Sequence, residues 1–274
     1  MNHLNKAIKA HYYKEGLFDE IVKRLEVQNI DLGKLTRFDL KGVDEFHVRG
    51  AEVSKELANY IDLEEAHVLD VGCGIGGPSR MLADEFNCTV TGIDLSAEFI
   101  RTATKFSKLL NLNDHTTFIQ GDACELPFKD DVFDVVWTQH VQMNILDKNK
   151  FYSEIERVLR PKGHFIYYDI FENEDSEVTY PMPWANTEEQ SFLFKTEELE
   201  AILTKSGFFK VKNTDQTKAG IKFFENLMAK AKNIGQPKIG LDILMGDTTK
   251  PKLSNLMNHL KSGKLKLESG VYRK

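Results

Sequence analysis

From residue 66 onward the chain alternates short apolar runs with longer stretches in which apolar residues recur every three or four positions. AHVLDVG (66–72), TVTGID (89–94), TTFIQGD (116–122), VFDVVWTQ (132–139) and HFIYYDIF (164–171) are rich in Val, Ile, Phe and Tyr, which predicts buried strands. Between them, GGPSRMLADEF, SAEFIRTATKFSKLLNL and DKNKFYSEIERVL read as helices, as Phe99, Ala103, Phe106 and Leu110 illustrate. Ser96 and Asp147 stand at N-cap positions, and Pro161 and Gly163 are expected to end the third helix before the fifth strand. Strands and helices in strict alternation predict an α/β fold with a parallel sheet joined by crossover helices.

Three regions decorate this core. Residues 1–60 are expected to form a helical cap, with Leu17, Phe18, Ile21, Val22 and Leu25 as an apolar stripe, ahead of a main domain over 61–274. An insertion at 172–195 mixes acids, two prolines and aromatics, which suits a lid-like loop, and 216–262 reads as a second, helical insertion. In the closing GKLKLESGVYRK, apolar Leu265, Leu267 and Val271 alternate with charged residues, so a final strand is expected.

Charge and composition narrow the chemistry. Lys and Arg number 36 against 42 Asp and Glu, a net charge of −6, and no run of five basic residues occurs, so no nucleic-acid partner is expected. No stretch of 18 apolar residues suggests a membrane span and MNHLNKAIKA lacks a signal-peptide core, so a cytoplasmic address is expected. Cys73, Cys88 and Cys124 form no C-x-x-C pair and the histidines form no H-x-x-x-H or H-E-x-x-H arrangement, so neither disulfides nor a metal are expected.

The densest signal is DVGCGIGG, residues 70–77. Gly72, Gly74 and Gly77 satisfy G-x-G-x-x-G between a strand and a helix, and Asp94 closes the next strand, where an acid can hydrogen-bond a ribose. Asp70, two residues before the first glycine, would repel a pyrophosphate and attract a cationic amino-acid end, which disfavours NAD. Asp122 in Gly121-Asp122-Ala123 suits an adenine amino group, and Leu95 suits packing on the adenine face. A nucleoside with a positive amino-acid end and no phosphate fits S-adenosylmethionine.

Taken together, VLDVGCGIGG, VTGIDLS, QGDACELPF and FDVVWTQH with the following RVLRPKG resemble the class I S-adenosylmethionine-dependent methyltransferases of the type 11 group, over residues 47–171. The resemblance implies a Rossmann-like seven-stranded methyltransferase sheet, mostly parallel with the last strand antiparallel, and a helical cap. It implies that Gly72, Gly74 and the Asp70 neighbourhood hold the methionyl part, Asp94 the ribose, and Leu95, Asp122 and Ala123 the adenine. Backbone at Thr138 or Gln139 would meet the methionyl ammonium. FHVRG, WTQHVQMNILDK and GKLKLESGVYRK are similar to sarcosine and dimethylglycine N-methyltransferase-like proteins, which implies a small amine acceptor. The alternatives are C- or O-methylation of an aromatic or quinone-type metabolite, or a protein that binds the cofactor without turnover.

His140, just past the fourth strand, is the candidate proton acceptor. Arg49 is expected to close over the cofactor and reach a carboxylate. Tyr13, with Tyr12 beside it as a lid, His47, Asn144, Tyr180 and Trp184 are the candidate substrate pocket, the last two as an aromatic wall for a methylated ammonium. Arg80 is expected to make a structural ion pair. A small-molecule partner and a monomer or homodimer complete the expectation.

Overall fold

In the computed structural model, Ile8 and residues 10–173, 177–234 and 239–274 are described. The principal elements in chain order are α1 (Leu17–Glu26), α2 (Ala51–Ala58), β1 (His67–Val71), α3 (Gly77–Phe86), β2 (Thr89–Asp94), α4 (Ala97–Leu109) and β3 (Thr116–Gln120). They continue with β4 (Phe133–Gln139), α5 (Lys148–Val158), β5 (Leu159–Glu172), α6 (Thr196–Lys205), β6 (Phe209–Asp215), α7 (Thr217–Ile234), α8 (Thr249–Ser262) and β7 (Leu265–Arg273). Single helical turns lie at Arg37–Leu40 and Asp242–Met245.

Seven strands form one sheet in the order β3-β2-β1-β4-β5-β7-β6. The five from β3 to β5 pair in parallel, and β7 runs antiparallel between β5 and β6. The chain winds outward from β1 to β3, then returns to place β4 on the other side of β1. That reversal opens a crevice at the carboxyl ends of β1 and β4, where open sheets of this kind place their ligands.

The alternation of side chains along the strands explains why the sheet is covered on both faces. Ile166, Tyr168 and Ile170 of β5 enter one core with Trp137, Met81 and Leu57, while Phe165, Tyr167 and Phe171 enter the other with Val136, Phe151 and Ile155. A third core joins the stripe of α1 (Leu17, Ile21, Leu25) to Phe99 and Phe106 of α4. Removing each of these α1 leucines or isoleucine from water contributes roughly 1.5–3 kcal/mol at most. Ser96 caps α4 by accepting from the Phe99 N–H at 3.3 Å, and Asp147 caps α5 by accepting from Lys150 N–H at 2.9 Å, as the sequence predicts.

Two local expectations are corrected. Pro161 and Gly163 do not separate α5 from the fifth strand: α5 ends at Val158 and β5 begins at Leu159, carrying both residues through an irregular stretch of the β4–β5 pairing. The strand β6 and the helix α6, which the pattern left unassigned, complete the sheet edge. Most of β6 is exposed, with Phe209 at 73% and Val211 at 56%, so it lacks the apolar density of a buried strand.

The N-terminal cap is locked to the sheet by charge. Arg80 of α3 is fully buried; its Nη2 pairs with Asp44 and donates to the Ile75 carbonyl at 2.7 Å, while Nη1 donates to the Ala103 carbonyl at 3.1 Å. The expected structural pair is therefore present. Gly77 lets the cap come this close, since a Cβ there would sit 2.0 Å from the Asp44 carbonyl oxygen. Further out, residues 11–14 cross to three segments: His11 Nε2 lies 3.1 Å from the Pro183 carbonyl, Tyr12 Oη donates to Asn144 Oδ1 at 2.8 Å, and Lys14 donates to the Ile243 carbonyl.

Replacing Arg80 with Ala removes from the buried Asp44 carboxylate its directly bonded countercharge. Equilibrium urea unfolding is expected to show a loss of about 3–5 kcal/mol; a loss below about 1 kcal/mol would contradict the locking role.

Candidate functional site

A cleft of about 360 Å³ opens at the reversal point, within the size range of small-molecule sites. Its floor is the turn after β1. The Gly72 and Cys73 N–H groups donate to the Ile93 carbonyl at 2.8 and 3.1 Å, folding the turn back onto the end of β2. Gly72 has φ +74°, and a Cβ there would meet Val141 Cγ2 at 2.4 Å, so both conformation and space require a bare backbone.

Asp94 ties this turn to the next. Its Oδ2 accepts from the Gly74 N–H at 3.0 Å and its Oδ1 from the Ser96 N–H at 2.8 Å. Each carboxylate oxygen retains a further acceptor position for a hydroxyl donor. Asp70, at the end of β1, accepts from Ser79 Oγ at 2.5 Å. Burial pushes Asp94 up to about 6, against the pull of the two backbone N–H groups, and pushes Asp70 up to about 7, with the Ser79 bond opposing and the Asp94 charge adding. Carboxylates desolvated in this way gain most from a positive ligand.

The opposite wall is the turn after β4. Buried Asp169 of β5 accepts from the Val141 and Gln142 N–H groups, both at 3.1 Å, and the His140 N–H donates to the Tyr168 carbonyl at 2.8 Å. These bonds hold His140 at φ +53°, a conformation costly for a non-glycine residue and found where surrounding structure over-determines it. Its ring lies against Tyr168 with centroids 5.0 Å apart, and its Nε2 is buried without a hydrogen-bond partner. Burial, followed by the neighbouring His47, holds the His140 pKa well below the usual imidazole value, so the ring is neutral at neutral pH.

His47 belongs to a polar network behind the wall. Its Nε2 lies 3.1 Å from Ser54 Oγ, 3.2 Å from Gln139 Nε2 and 3.3 Å from Glu45 Oε2, and Gln139 Oε1 accepts from Trp137 Nε1 at 2.9 Å. Burial pushes Glu45 up to about 8 and His47 down to about 4.

Of the residues singled out from sequence, Asp70, Gly72, Gly74, Asp94, Leu95, Asp122, Ala123, Gln139, His140, His47 and Asn144 all line this cleft. Four do not. Arg49 turns away: it is absent from the cleft lining, its Nη1 donates to Gln216 Oε1 at 2.7 Å, and its Nη2 pairs with Glu52 and Glu56 at 2.6 and 3.0 Å. Tyr13 is 58% exposed, and Tyr12 takes the lining position beside Phe46 and Phe99.

Trp184 is buried in the core with Nε1 donating to Ser191 Oγ at 2.9 Å, and Tyr180 packs against the same core, so these two form no aromatic wall at the cleft. Trp184 contributes instead its carbonyl, which orients Asn144 through Nδ2 at 2.9 Å. Asp44, Phe46 and the supporting Asp169 are not legible as site residues; the one signal for Asp169 is a lone acid inside the fifth apolar run. Among the described residues no group of three or more His, Cys, Asp or Glu is placed to hold a metal, and no helix is long and apolar enough to cross a membrane.

Residues 69–167 match the family model described as a methyltransferase domain. The chain is 31% identical over 160 residues to the methyltransferase GfsG of Streptomyces halstedii, covering 58% of this chain and 56% of that protein. It is 35% identical over 170 residues to the chloroplastic tocopherol O-methyltransferase of Arabidopsis thaliana, covering 60% and 49%. The chain thus spans about half the length of these curated relatives.

Among solved structures, geranyl diphosphate C-methyltransferase of Streptomyces coelicolor A3(2), in complex with Mg2+, geranyl-S-thiolodiphosphate and S-adenosyl-L-homocysteine, superposes with a TM-score of 0.73. The superposition covers 99% of this chain and 98% of that one at 14% identity. At that identity the likeness shows the fold: a Rossmann-like methyltransferase fold, as the sequence resemblance implies.

Gly72→Ala places a side chain against Val141 at a positive φ. Thermal unfolding is expected to show a loss of more than about 1 kcal/mol, and calorimetry with a nucleoside ligand a parallel loss of affinity; a variant matching the parent in both would remove the bare-backbone requirement.

Proposed function

We propose that the chain transfers a methyl group from S-adenosylmethionine to a small-molecule acceptor. The observation that carries this reading is the joint placement of Asp94 and the glycine turn in one acid-lined cleft within the matched domain. The residues fit the cofactor by their own chemistry. A bare turn at Gly72 and Gly74 admits its amino-acid end, the raised carboxyls of Asp70 and Asp94 favour its positive charge, and Asp94 retains acceptor positions for ribose hydroxyls. Leu95, Asp122 and Ala123 line the same cleft, which supports the reading that they flank the adenine.

When bound, S-adenosylmethionine supplies an activated methyl group on a sulfonium. The chain's contribution is alignment and exclusion of water, which account for most of the barrier lowering available in an in-line displacement. Tyr12, Phe46 and Asn144 close the cleft around the acceptor, and neutral His140 presents an unpartnered nitrogen to a departing proton. In such a transfer the carbon–sulfur bond would break with its electron pair to sulfur as the nucleophile's bond to carbon forms, and His140 would take the proton that a hydroxyl or amine gives up. Glycine-type amines and aromatic or quinone-type acceptors are both compatible with this chemistry. A tocopherol O-methyltransferase among the relatives favours the second class.

The test pairs titration calorimetry, using S-adenosylmethionine and S-adenosylhomocysteine, with mass spectrometry of a metabolite extract for products gaining one methyl. Tight binding without any methylated product would establish a cofactor-binding protein without turnover; absence of binding would overturn the reading entirely.

Two outcomes are specific to the residues. With Asp94 near 6 and Asp70 near 7 in the free protein, a cationic ligand favours their ionised forms and must expel their protons at low pH. Affinity for S-adenosylmethionine is therefore expected to rise as pH increases through 6 to 7 and level off above, at most about tenfold per pH unit for each proton released. The uncharged thioether of S-adenosylhomocysteine is expected to show a shallower rise in the same calorimetric series. His140→Ala is expected to lower kcat about 10²-fold with cofactor affinity unchanged, measured by steady-state kinetics; an unchanged kcat would give His140 a purely structural role.

A further inference from the structure

Charge around the cleft is lopsided. Asp44, Asp70, Asp94, Asp122 and Asp147 line it, whereas among the described lining residues the sole cationic side chain is Lys150. Lys150 is exposed and stands in the first turn of α5, where its own N–H is capped by Asp147 at 2.9 Å. With Asp147 it acts electrostatically on Cys124, which puts it on the Cys124–Asp147 side of the cleft.

Other cations of this region do not line the cleft and are already paired, Arg80 offsetting one of the five acids, Asp44. Arg80 pairs with Asp44 and two carbonyls, Arg49 with Glu52 and Glu56, and Lys148 donates to the Gln142, Ile145 and Phe192 carbonyls. Lys252, buried on α8, is not among the lining residues. The remaining lining is apolar or neutral, as Ile8, Tyr12, Phe46 and Leu244 show.

Resting on the methyl-transfer reading above, we infer that the acceptor is an uncharged molecule with an apolar body, carrying neither carboxylate nor phosphate. A carboxylate or phosphate entering beside the cofactor leaves water with one cation, Lys150, among the described lining residues to receive it, and Asp147 lines the same side. The cofactor's own carboxylate differs, because it arrives with an ammonium and a sulfonium that the acids attract. Sarcosine or dimethylglycine, bound with its amine free to react, would place its carboxylate in a lining whose described residues offer it a single cation, Lys150. A phenol or similar neutral hydroxyl compound meets no such penalty, and its proton has His140 as its destination.

The experiment uses the full chain, S-adenosylmethionine labelled on the methyl group and a metabolite extract, with sarcosine and dimethylglycine assayed separately. Products are partitioned at neutral pH between ethyl acetate and water, and the aqueous layer is passed over an anion exchanger. Label in the ethyl acetate layer is expected, with sarcosine and dimethylglycine unlabelled. Methylated product retained by the exchanger, or label on either amino acid, would overturn the inference while leaving methyl transfer standing. No label in any fraction, with S-adenosylhomocysteine binding intact by calorimetry, would overturn the methyl-transfer reading and the acceptor class with it.

Discussion

One carboxylate organises the site. Asp94 draws the Gly74 amide from the turn after β1 and the Ser96 amide from the turn before α4 onto its two oxygens, so two loops from neighbouring strands share a single anchor. Charge-assisted bonds of this kind are about twice as strong as neutral ones, and here both are made to backbone, which fixes chain path as well as side chain. The glycine turn cannot drift without breaking them, and the cleft floor is rigid because its two edges are joined. The same two bonds favour the ionised form of a group that burial would otherwise keep protonated, leaving Asp94 poised near the middle of the physiological range.

The opposite wall follows the same logic by different means. Asp169 gathers the Val141 and Gln142 amides, and with the His140 amide tied to Tyr168 the turn after β4 is held in a backbone conformation that a histidine would not adopt freely. Strain at His140 is thus sustained from β5, a strand that contributes no side chain to the cleft lining itself. The sheet supplies the site's precision, while the cap and the connections supply its variable surface, in keeping with a fold that hosts many chemistries by changing what lies above the strands.

Residues whose role is local were readable from the sequence. The strand and helix periods of the core, the caps at Ser96 and Asp147, and the glycine turn with its downstream acid depend on neighbours within a few positions or on one strand-helix unit. What escaped depends on partners far along the chain. Arg49 looked available because Gln216, which takes one of its donors, is 167 residues away. Trp184 looked like a pocket wall because nothing local shows that its indole turns to Ser191 inside a core. Tyr12 and Tyr13 differ by one position, and which of two adjacent aromatics faces inward is set by the path of residues 10–14 across the cap. The edge strand β6 escaped for the opposite reason: lying mostly in solvent, it needs little of the apolar pattern that marks a strand.

The crossing of residues 11–14 over the molecule joins parts that the sheet keeps apart. His11, Tyr12 and Lys14 fasten one short stretch to Pro183, Asn144 and Ile243, three segments that belong to different connections of the sheet. Tyr12 is at once a fastening and a piece of the cleft wall, so the bonds that bind these connections to one another also set one side of the cleft.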